Sequence, residues 1–399
     1  MNETHMMDAK KRKQGENIFF ALFIPWIALT VLYETTVSYQ FSEVADYIVG
    51  LLKSTVLPVS LVLFSLLFLS RATTLKKLLA LGVVVLLTAQ CYLITYNDDL
   101  LLCACLVISA SAIDFKKILK VYLLVSLAVM AITTIAALAG WIDNISIHNG
   151  AVPRYALGCF WCTDYSARAF FLVLTVLYLY SRKMKILHWI GLLAAASLVF
   201  WPTFGKTDFM CSVLAIVCFF VHERITKKKE TCASWDGFWQ KISLVITPAA
   251  AIVMTVLTLL YQTESGFILK LNDILTRRLE WGYQAFSKIG ITIGGQYVKW
   301  IGMGGISDDT LPEDYNFVDC SYLHILFAFG ILIAIAVILL HCFLAYKNRM
   351  DTRFLIVVTL IALNCAIAHH LLDPAYNPFW VALPVGLSDI IGSSNKKDG

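Results

Sequence analysis

The sequence predicts an all-α integral membrane protein that crosses the bilayer about twelve times. Hydrophobic residues make up 59% of the 399 residues, and only 15% are charged, against about 25% in soluble globular domains. Apolar stretches long enough to cross a bilayer recur along the chain, and lysine and arginine cluster in alternate connections between them. So much apolar surface cannot be buried in one soluble core, so lipid must surround much of the chain.

The predicted spans follow from apolar runs that approach the length of about 20 residues needed to cross a bilayer as a helix. They lie at 18–34, 47–69, 78–95, 99–113, 121–142, 157–181, 186–202, 208–222, 243–262, 321–345, 354–371 and 377–392. The first follows a basic cluster, but no small-residue cleavage site comes before Glu34, so we interpret it as a retained span. Residues 1–399 are therefore predicted to form a single polytopic membrane domain.

The cations predict the orientation, because lysine and arginine near span ends are retained on the cytoplasmic side. With the N-terminus in the cytoplasm, 23 of the 32 lysine and arginine residues fall on that side. The other nine lie on or just within the outer face: Lys53, Arg154, Arg168, Lys206, Lys270, Arg277, Arg278, Lys288 and Lys299. Both termini are therefore predicted to be cytoplasmic. The net charge of +5 reflects topology and does not indicate nucleic-acid binding.

One outer connection, residues 263–320, is much longer than the others and too long for a simple turn. Its first half carries apolar residues at helical spacing: Ile268, Leu271, Ile274, Leu275 and Leu279. This spacing predicts an amphipathic helix on the outer membrane surface. The second half has six glycines between Gly290 and Gly305, followed by four acidic residues between Asp308 and Asp314, which is typical of a loop.

The cysteines and the sequence motifs give no sign of a cofactor. Eleven cysteines, an odd number, are spread through apolar segments, so we expect small hydrophobic side chains rather than a disulfide framework. Cys159 and Cys162 form a C-x-x-C pair without a second pair or nearby histidines to complete a metal site. The sequence contains no phosphate loop, dinucleotide fingerprint, nucleophile elbow or H-E-x-x-H metal helix. We therefore predict neither a metal nor a cofactor.

Basic side chains on the outer face are the first candidates for function. A guanidinium stays charged and presents a planar fork of donors that fits phosphate oxygens. We interpret five outer cations as a site for a lipid diphosphate: Arg154, Arg168, Lys206, Arg277 and Arg278. Arg277 and Arg278 could instead reach lipid head groups from an interfacial helix. Arg168, about two turns inside a span, could pair with Asp164, and Lys206 could simply serve a tight polar turn.

Carboxylates and histidines at the same boundary are candidates for moving a proton. Asp319 ends the long connection and His324 lies near the start of the next span, so they could act as a general base and its orienting group. Asp319 could instead cap that helix. His369, His370 and Asp373 form a second group at another outer span end. Residues that could support the substrate or the site are Asp208, Tyr322 and His370.

Several short motifs resemble those of a known family. Leu271–Glu280 is similar to an L-N-x-x-L-S-G-R-L stretch, and Phe286–Gly295 is similar to the glycine-punctuated segment that follows it. Val318–Leu323 is similar to V-D-N-x-Y-L, and Phe327–Ile331 to an aromatic-Gly-Ile sequence. Arg154–Gly158 is similar to R-x-S-L-G. On these motifs the chain resembles the Wzy family of O-antigen, capsule and exopolysaccharide repeat-unit polymerases, particularly the branch found in Gram-positive polysaccharide clusters.

The chain departs from that pattern in two places. Trp161-Cys162-Thr163 stands where many relatives have His-Pro-Asn. Lys206-Thr207-Asp208 stands where a Ser-Arg pair is common. The resemblance therefore assigns no role to either triplet.

The resemblance implies a membrane-embedded glycosyltransferase on the outer face of the bacterial cytoplasmic membrane. It would transfer a growing glycan from undecaprenyl diphosphate to a hydroxyl of a new lipid-linked repeat unit. Arginines, including Arg278, would stabilise the leaving diphosphate, and Asp319 or His324 would take the acceptor proton. The implied partners are the undecaprenyl-diphosphate-linked oligosaccharide, the lipid bilayer, and a chain-length regulator and flippase of the same pathway. The implied chemistry needs neither nucleotide nor metal.

Two alternatives share parts of this pattern. An O-antigen ligase has the same architecture and donor but delivers the glycan to another acceptor. A lipid-linked oligosaccharide flippase or other transporter should show inverted repeats, broken helices and polar residues near the midplane. The polar residues here gather near the outer boundary, which favours an enzyme.

Overall fold

The computed structural model describes residues 3–70, 75–110, 113–147, 152–227, 233–305 and 312–383. The described chain is mainly helical. Its α-helices are α1 Glu3–Tyr33, α2 Glu43–Leu51, α3 Leu57–Ser70, α4 Leu75–Thr95, α5 Asp99–Ala110, α6 Phe115–Leu138, α7 Cys162–Tyr180, α8 Ile186–Thr203, α9 Lys206–Lys227, α10 Ala233–Leu260, α11 Gly266–Ile274, α12 Arg278–Lys288, α13 Ser321–Lys347 and α14 Thr352–Asn364. A π-helical turn, Leu52–Val56, joins α2 to α3. The strands β1 Ser146–Ile147 and β2 Arg154–Tyr155 pair antiparallel.

The described helices confirm a multi-pass membrane protein. Eight stretches are long and apolar enough to cross a membrane: Lys13–Tyr33, Glu43–Ser65, Phe115–Leu138, Cys162–Lys183, Ile186–Thr203, Lys206–Lys227, Ala233–Thr263 and Ser321–Lys347. Three shorter apolar helices fall on further predicted spans: Gly82–Thr95, Asp99–Ala110 and Thr352–Asn364. The last predicted span, 377–392, holds the 3₁₀ turn Pro378–Ala382, and residues 384–392 lie outside the described residues. Twelve spans therefore stays a prediction.

Residue contacts divide the chain into two compact units. Unit 1 comprises residues 1–90, 98–143 and 372–399, and unit 2 comprises residues 91–97 and 144–371. The sequence predicted one polytopic membrane domain over residues 1–399, and that prediction is not tested by this division into units.

In unit 1, α1 packs against α3 and α6, and α3 packs against α5. Residues 372–383 join this bundle as a largely non-helical, buried segment. The Tyr122 hydroxyl on α6 lies 2.8 Å from the carbonyl oxygen of Ala375 and 2.7 Å from that of Tyr376. Backbone that is not helical needs hydrogen bonds from other protein groups when it is shielded from water, and the Tyr122 hydroxyl supplies such a bond.

In unit 2, α10 packs against α13 and α14, and α7 packs against α8 and α9. Successive helices run in opposite directions, so one end of the unit collects the N-termini of α7, α9 and α13 with the C-termini of α8, α10 and α14. We call this the site end, and the other the opposite end. Nearly every residue of α14 is buried, so the C-terminus of α14 positions groups inside the site end.

Helix α13 is broken at Gly330, which has φ 81° and ψ 175°. The segment Thr292–Gln296 fills the break. The N–H groups of Ile331 and Leu332 donate to the carbonyls of Thr292 and Ile293 at 3.0 and 3.2 Å, and the N–H of Gln296 donates to the carbonyl of Ala328 at 2.9 Å. A side chain at position 330 would meet this segment, since its Cβ would lie 2.5 Å from the Gly295 nitrogen. Glycine is therefore required by both the backbone conformation and the close approach.

The long connection between α10 and α13 contains two helices where the apolar spacing predicted one. Thr276 and Arg277 adopt left-handed φ values of 52° and 63°, which separate α11 from α12. On the predicted apolar face, Ile268 and Leu279 are buried, whereas Ile274 is 76% exposed. The location of the long connection outside the membrane stays a prediction. Asp308 and Asp309, in its predicted acidic patch, lie outside the described residues.

Candidate functional site

Arg278 begins α12 at the site end, and its guanidinium joins three segments of unit 2. Nε donates to the carbonyl of Ile367 at 2.9 Å. Nη1 donates to the carbonyl of Leu275 at 3.1 Å and to the Thr276 hydroxyl. Nη2 lies 3.1 Å from Asp319 Oδ2. Since arginine has five N–H groups, one remains for a ligand while the ion pair with Asp319 is closed, and a second becomes available if it opens.

Asp319 lies just before α13 with its side chain 33% exposed. The alternative that it caps α13 is not observed, because Cys320 occupies the N-cap position and no side chain caps the helix. Tyr315 lies near the same pair. Burial raises the pKa of the Tyr315 hydroxyl, and the Asp319 charge raises it further. The phenol therefore stays protonated beside the Arg278–Asp319 pair.

Two of the three histidines at the site end are buried. The His324 ring stacks on Trp300 with centroids 4.2 Å apart, and its Nδ1 lies 3.3 Å from the Val318 carbonyl oxygen. His370 is 3% exposed. Burial lowers the pKa of His370 well below its ordinary value, and the nearby His369 and Arg168 lower it further. These contacts fit packing more closely than contact with a substrate.

His369 is the accessible member of the group, being half-buried. Its ring lies 4.0 Å from that of His370 and 4.8 Å from that of Phe317, measured between centroids. Among the described residues, none makes a hydrogen bond to either ring nitrogen. Burial, with a further contribution from the Arg278 charge, lowers the pKa of His369 to about 4. A neutral, half-buried imidazole beside a guanidinium can accept a proton.

Asp208 lies in the first turn of α9 and joins α9 to α7 and α14. Its Oδ2 lies 2.5 Å from Ser166 Oγ, and its Oδ1 accepts a hydrogen bond from Asn364 Nδ2 at 2.8 Å. The carboxyl is 6% exposed and interacts electrostatically with Arg278 and Asp319. Gly205 makes this packing possible, because a Cβ there would overlap Ser166. The group is therefore buried and lies close enough to the Arg278–Asp319 pair to interact with it electrostatically.

Arg154 and Lys206 flank the turn before α9. Arg154 Nε donates to the Thr203 carbonyl at 2.9 Å, and its Nη atoms form no hydrogen bond with the described residues. The Lys206 side chain is exposed. Both cations are thus accessible at the site end, and Arg154 keeps the fork needed for a phosphate.

The remaining predicted site residues have other surroundings. Arg168 is completely buried in α7. Arg277 binds the Glu280 carboxylate through Nε at 2.8 Å and Nη2 at 2.7 Å, and these hydrogen bonds lower the pKa of Glu280. The Tyr322 hydroxyl donates to the Ala362 carbonyl at 2.7 Å inside the bundle. Arg277 and Tyr322 thus have structural contacts, and their functional roles stay predictions.

Sequence reasoning missed Ser166 and Asn364, which hold Asp208. A lone serine or asparagine in an apolar helix carries no pattern of its own. It also missed the carbonyl of Ile367, which ties Arg278 to the segment before His369. That contact joins residues 89 positions apart, so no local motif could have indicated it.

No group of three or more His, Cys, Asp or Glu side chains in the described parts of the chain is arranged to hold a metal ion.

Comparison with protein-family models, curated proteins and solved structures finds no match for this chain.

Proposed function

We propose that the chain is a polysaccharide polymerase that lengthens a glycan carried on undecaprenyl diphosphate. The observation that carries this proposal is the Arg278–Asp319 pair, with N–O distance 3.1 Å and side chains 16% and 33% exposed, beside the neutral imidazole of His369. A cation for a leaving diphosphate and acceptors for a proton are thereby close together.

The proposed reaction is a substitution at the anomeric carbon of the donor. The acceptor hydroxyl oxygen forms the new glycosidic bond, and the bond to the diphosphate oxygen breaks with its electron pair. Arg278, with Arg154 and Lys206, stabilises the negative charge of the departing diphosphate. Asp319 or His369 takes the hydroxyl proton. Arg278 would release Asp319 when the diphosphate binds, which frees a second N–H for phosphate and a carboxylate for the proton.

The face and location follow from the charge distribution. The predicted outer connections carry only nine of the 32 lysine and arginine residues, and they include the segments of the site end, so we place this end outside the bacterial cytoplasmic membrane, with both termini inside. Lipid-linked repeat units are presented on that face. A ligase would use the same donor chemistry, and the identity of the acceptor distinguishes it.

A second candidate is a lipid-linked oligosaccharide flippase, favoured by the break in α13. Discontinuous spans are common in transporters, where they place backbone groups at a substrate. Here the N–H groups freed by the break bind Thr292 and Ile293. They are therefore occupied by the chain itself, which favours the polymerase.

The deciding experiment uses purified protein in proteoliposomes with undecaprenyl-diphosphate-linked repeat units, and with neither nucleotide sugar nor ATP. We expect a ladder of longer lipid-linked glycans and release of undecaprenyl diphosphate. Adding lipid A–core as a second acceptor identifies a ligase if the glycan moves to it. Movement of the repeat unit across the membrane without any lengthening would contradict the polymerase and favour the flippase.

A further inference from the structure

Ser166 has two hydrogen-bond acceptors but only one proton. Its Oγ lies 2.9 Å from the Thr163 carbonyl oxygen and 2.5 Å from Asp208 Oδ2. A serine hydroxyl can donate one hydrogen bond and accept others. If Ser166 donates to Thr163, the short contact with Asp208 needs a proton on the carboxyl. A carboxylic O–H donating to Ser166 satisfies both contacts.

The charge around Asp208 points the same way. Among the described residues, no lysine, arginine or histidine nitrogen forms an ion pair with its carboxyl, and Arg278 is paired with Asp319. The cleft beside it has mostly apolar walls, formed by Val173, Ala196, Val199, Phe200 and Phe209. An ionised carboxylate buried without a cation is costly, whereas a hydrogen-bonded acid is not. The neutral form is therefore the one this setting favours.

We propose that Asp208 is held as a neutral carboxylic acid and acts as a positioning residue near the proposed anion site. It donates to Ser166 through Oδ2 and accepts from Asn364 through Oδ1, so it joins α7, α9 and α14 without adding a negative charge. The site end then keeps its positive potential for an anionic ligand with a diphosphate group. This role rests on the proposed function, but the state of Asp208 does not.

The groups facing Asp208 come from each neighbouring segment. Ser166 lies on α7 and Asn364 on α14, while Arg278 and Asp319 interact with it electrostatically. The thiols of Cys211, on the same helix, and Cys365, just after α14, also lie within electrostatic range. Both thiols are buried or half-buried, and a thiol in such surroundings stays protonated and uncharged. Arg278 and Asp319 are therefore the charged groups that act on Asp208, and their charges are opposite in sign.

Infrared spectroscopy tests the protonation directly. The full-length protein in lipid nanodiscs at neutral pH should show the C=O stretch of a protonated carboxylic acid. The band should vanish in Asp208→Asn, whose amide can donate to Ser166 in the same geometry, and should shift in Ser166→Ala. Asp273→Asn, which removes an exposed carboxylate of α11, should leave it unchanged. A wild-type spectrum without a band that Asp208→Asn removes would overturn the proposal.

Binding of inorganic pyrophosphate to the same samples tests the consequence for the ligand. If Asp208 is neutral, Asp208→Asn should bind pyrophosphate within about twofold of wild type. If Asp208 carries a charge, removing it should tighten binding about tenfold or more, because the loss of a nearby unit negative charge in an effective dielectric of about 20 strongly favours an anion. Such tightening would contradict the proposal. Failure of wild type to bind pyrophosphate would count against the proposed function and the role in ligand binding, while the infrared result would still decide the state of Asp208.

Discussion

The two ends of unit 2 both carry buried polar groups, but in the described part of the chain only the site end places an arginine–carboxylate ion pair near a half-buried imidazole that makes no hydrogen bond. At the opposite end, Tyr178 donates to Asp351 at 2.9 Å and Ser181 donates to Glu223 at 2.7 Å. Thr352 donates to Asp236 at 2.6 Å. Each carboxylate there is held by a hydroxyl from another helix or turn. At the site end, the Nη atoms of Arg154 and the ring nitrogens of His369 make no hydrogen bond within the described residues.

This difference separates a structural network from a functional one. Buried polar groups stabilise a bundle only when they are paired, and an accessible cation or imidazole without a protein acceptor or donor is available to a ligand. The opposite end therefore ties helices together, whereas the site end combines tied groups such as Asp208 with open ones. Changes at the opposite end should alter stability, and changes at the site end should alter activity.

The prediction with the largest expected effect concerns which end of unit 2 faces the outside of the cell. Ser287→Cys on α12 and Met350→Cys, which replaces a residue 87% exposed, should differ in labelling by a membrane-impermeant thiol reagent in intact cells. Ser287→Cys should react, and Met350→Cys should react only after lysis. Wild-type labelling supplies the background, since the ten described cysteines are buried or half-buried. The reverse pattern would place the site end in the cytoplasm.

The largest stability effect should come from filling the break in α13. Gly330→Ala places a Cβ 2.5 Å from the Gly295 nitrogen and 2.8 Å from the carbonyl oxygens of Thr292 and Ile293, and backbone atoms cannot move away easily. With the strain of a positive φ, we expect a loss of about 2–5 kcal/mol in unfolding free energy. Gly191→Ala is the matched control, because nothing lies within 4 Å of its Cβ. Equal stability of the two variants would rule out the close packing.

A smaller loss is expected at the opposite end. Ser181→Ala leaves the Glu223 carboxylate, 7% exposed, without its hydroxyl donor and should cost about 1–3 kcal/mol. Activity per folded molecule should be unchanged. Ser197→Ala, at an exposed serine of α8, should change stability by less than about 0.5 kcal/mol. A fall in specific activity in Ser181→Ala would show that the opposite end also takes part in function.

The smallest expected effect is a change in one titration. Because the Arg278 charge helps to lower the pKa of His369 to about 4, Arg278→Gln should raise that pKa and Arg277→Gln should not. Histidine resonances assigned with His369→Gln provide the measurement. An unperturbed histidine titrates near 6.5, so the unfolded chain takes up this proton at a higher pH than the folded protein does. The contribution of neutral His369 to the free energy of unfolding is therefore fully present above about pH 6.5 and is lost as pH falls toward 4. An unchanged His369 titration in Arg278→Gln would show that the Arg278 charge does not act on His369.

Most of the fold could be predicted because apolar runs and cation placement are local features. The span predicted at 321–345 is α13, Ser321–Lys347. Its break could not be predicted, because it depends on hydrogen bonds to a segment more than thirty residues earlier in the chain. The division of the long connection into α11 and α12 was missed for a related reason. Two consecutive left-handed residues, neither of them glycine, leave no clear signal.

The candidate site was predicted as separate residues rather than as contacts. Charge on an outer face indicated Arg278 and Asp319, but their ion pair depends on folding across 41 positions. Arg277 had the same sequence signal, yet it binds Glu280 at i+3, a local pair that the spacing could have indicated. Asp208 could be noticed in its turn, whereas its hydrogen bonds to Ser166 and Asn364 required the packing of three helices.

The most direct test of the central claim is the glycan ladder made by Arg278→Lys compared with Arg224→Lys, at matched amounts of folded protein. Arg224 is an exposed arginine of the opposite end, so its replacement should leave the ladder unchanged. Lysine at 278 cannot reproduce the fork that reaches Ile367 and Asp319, and we expect polymer formation to fall at least about 100-fold. A full ladder from Arg278→Lys would contradict catalysis at the site end.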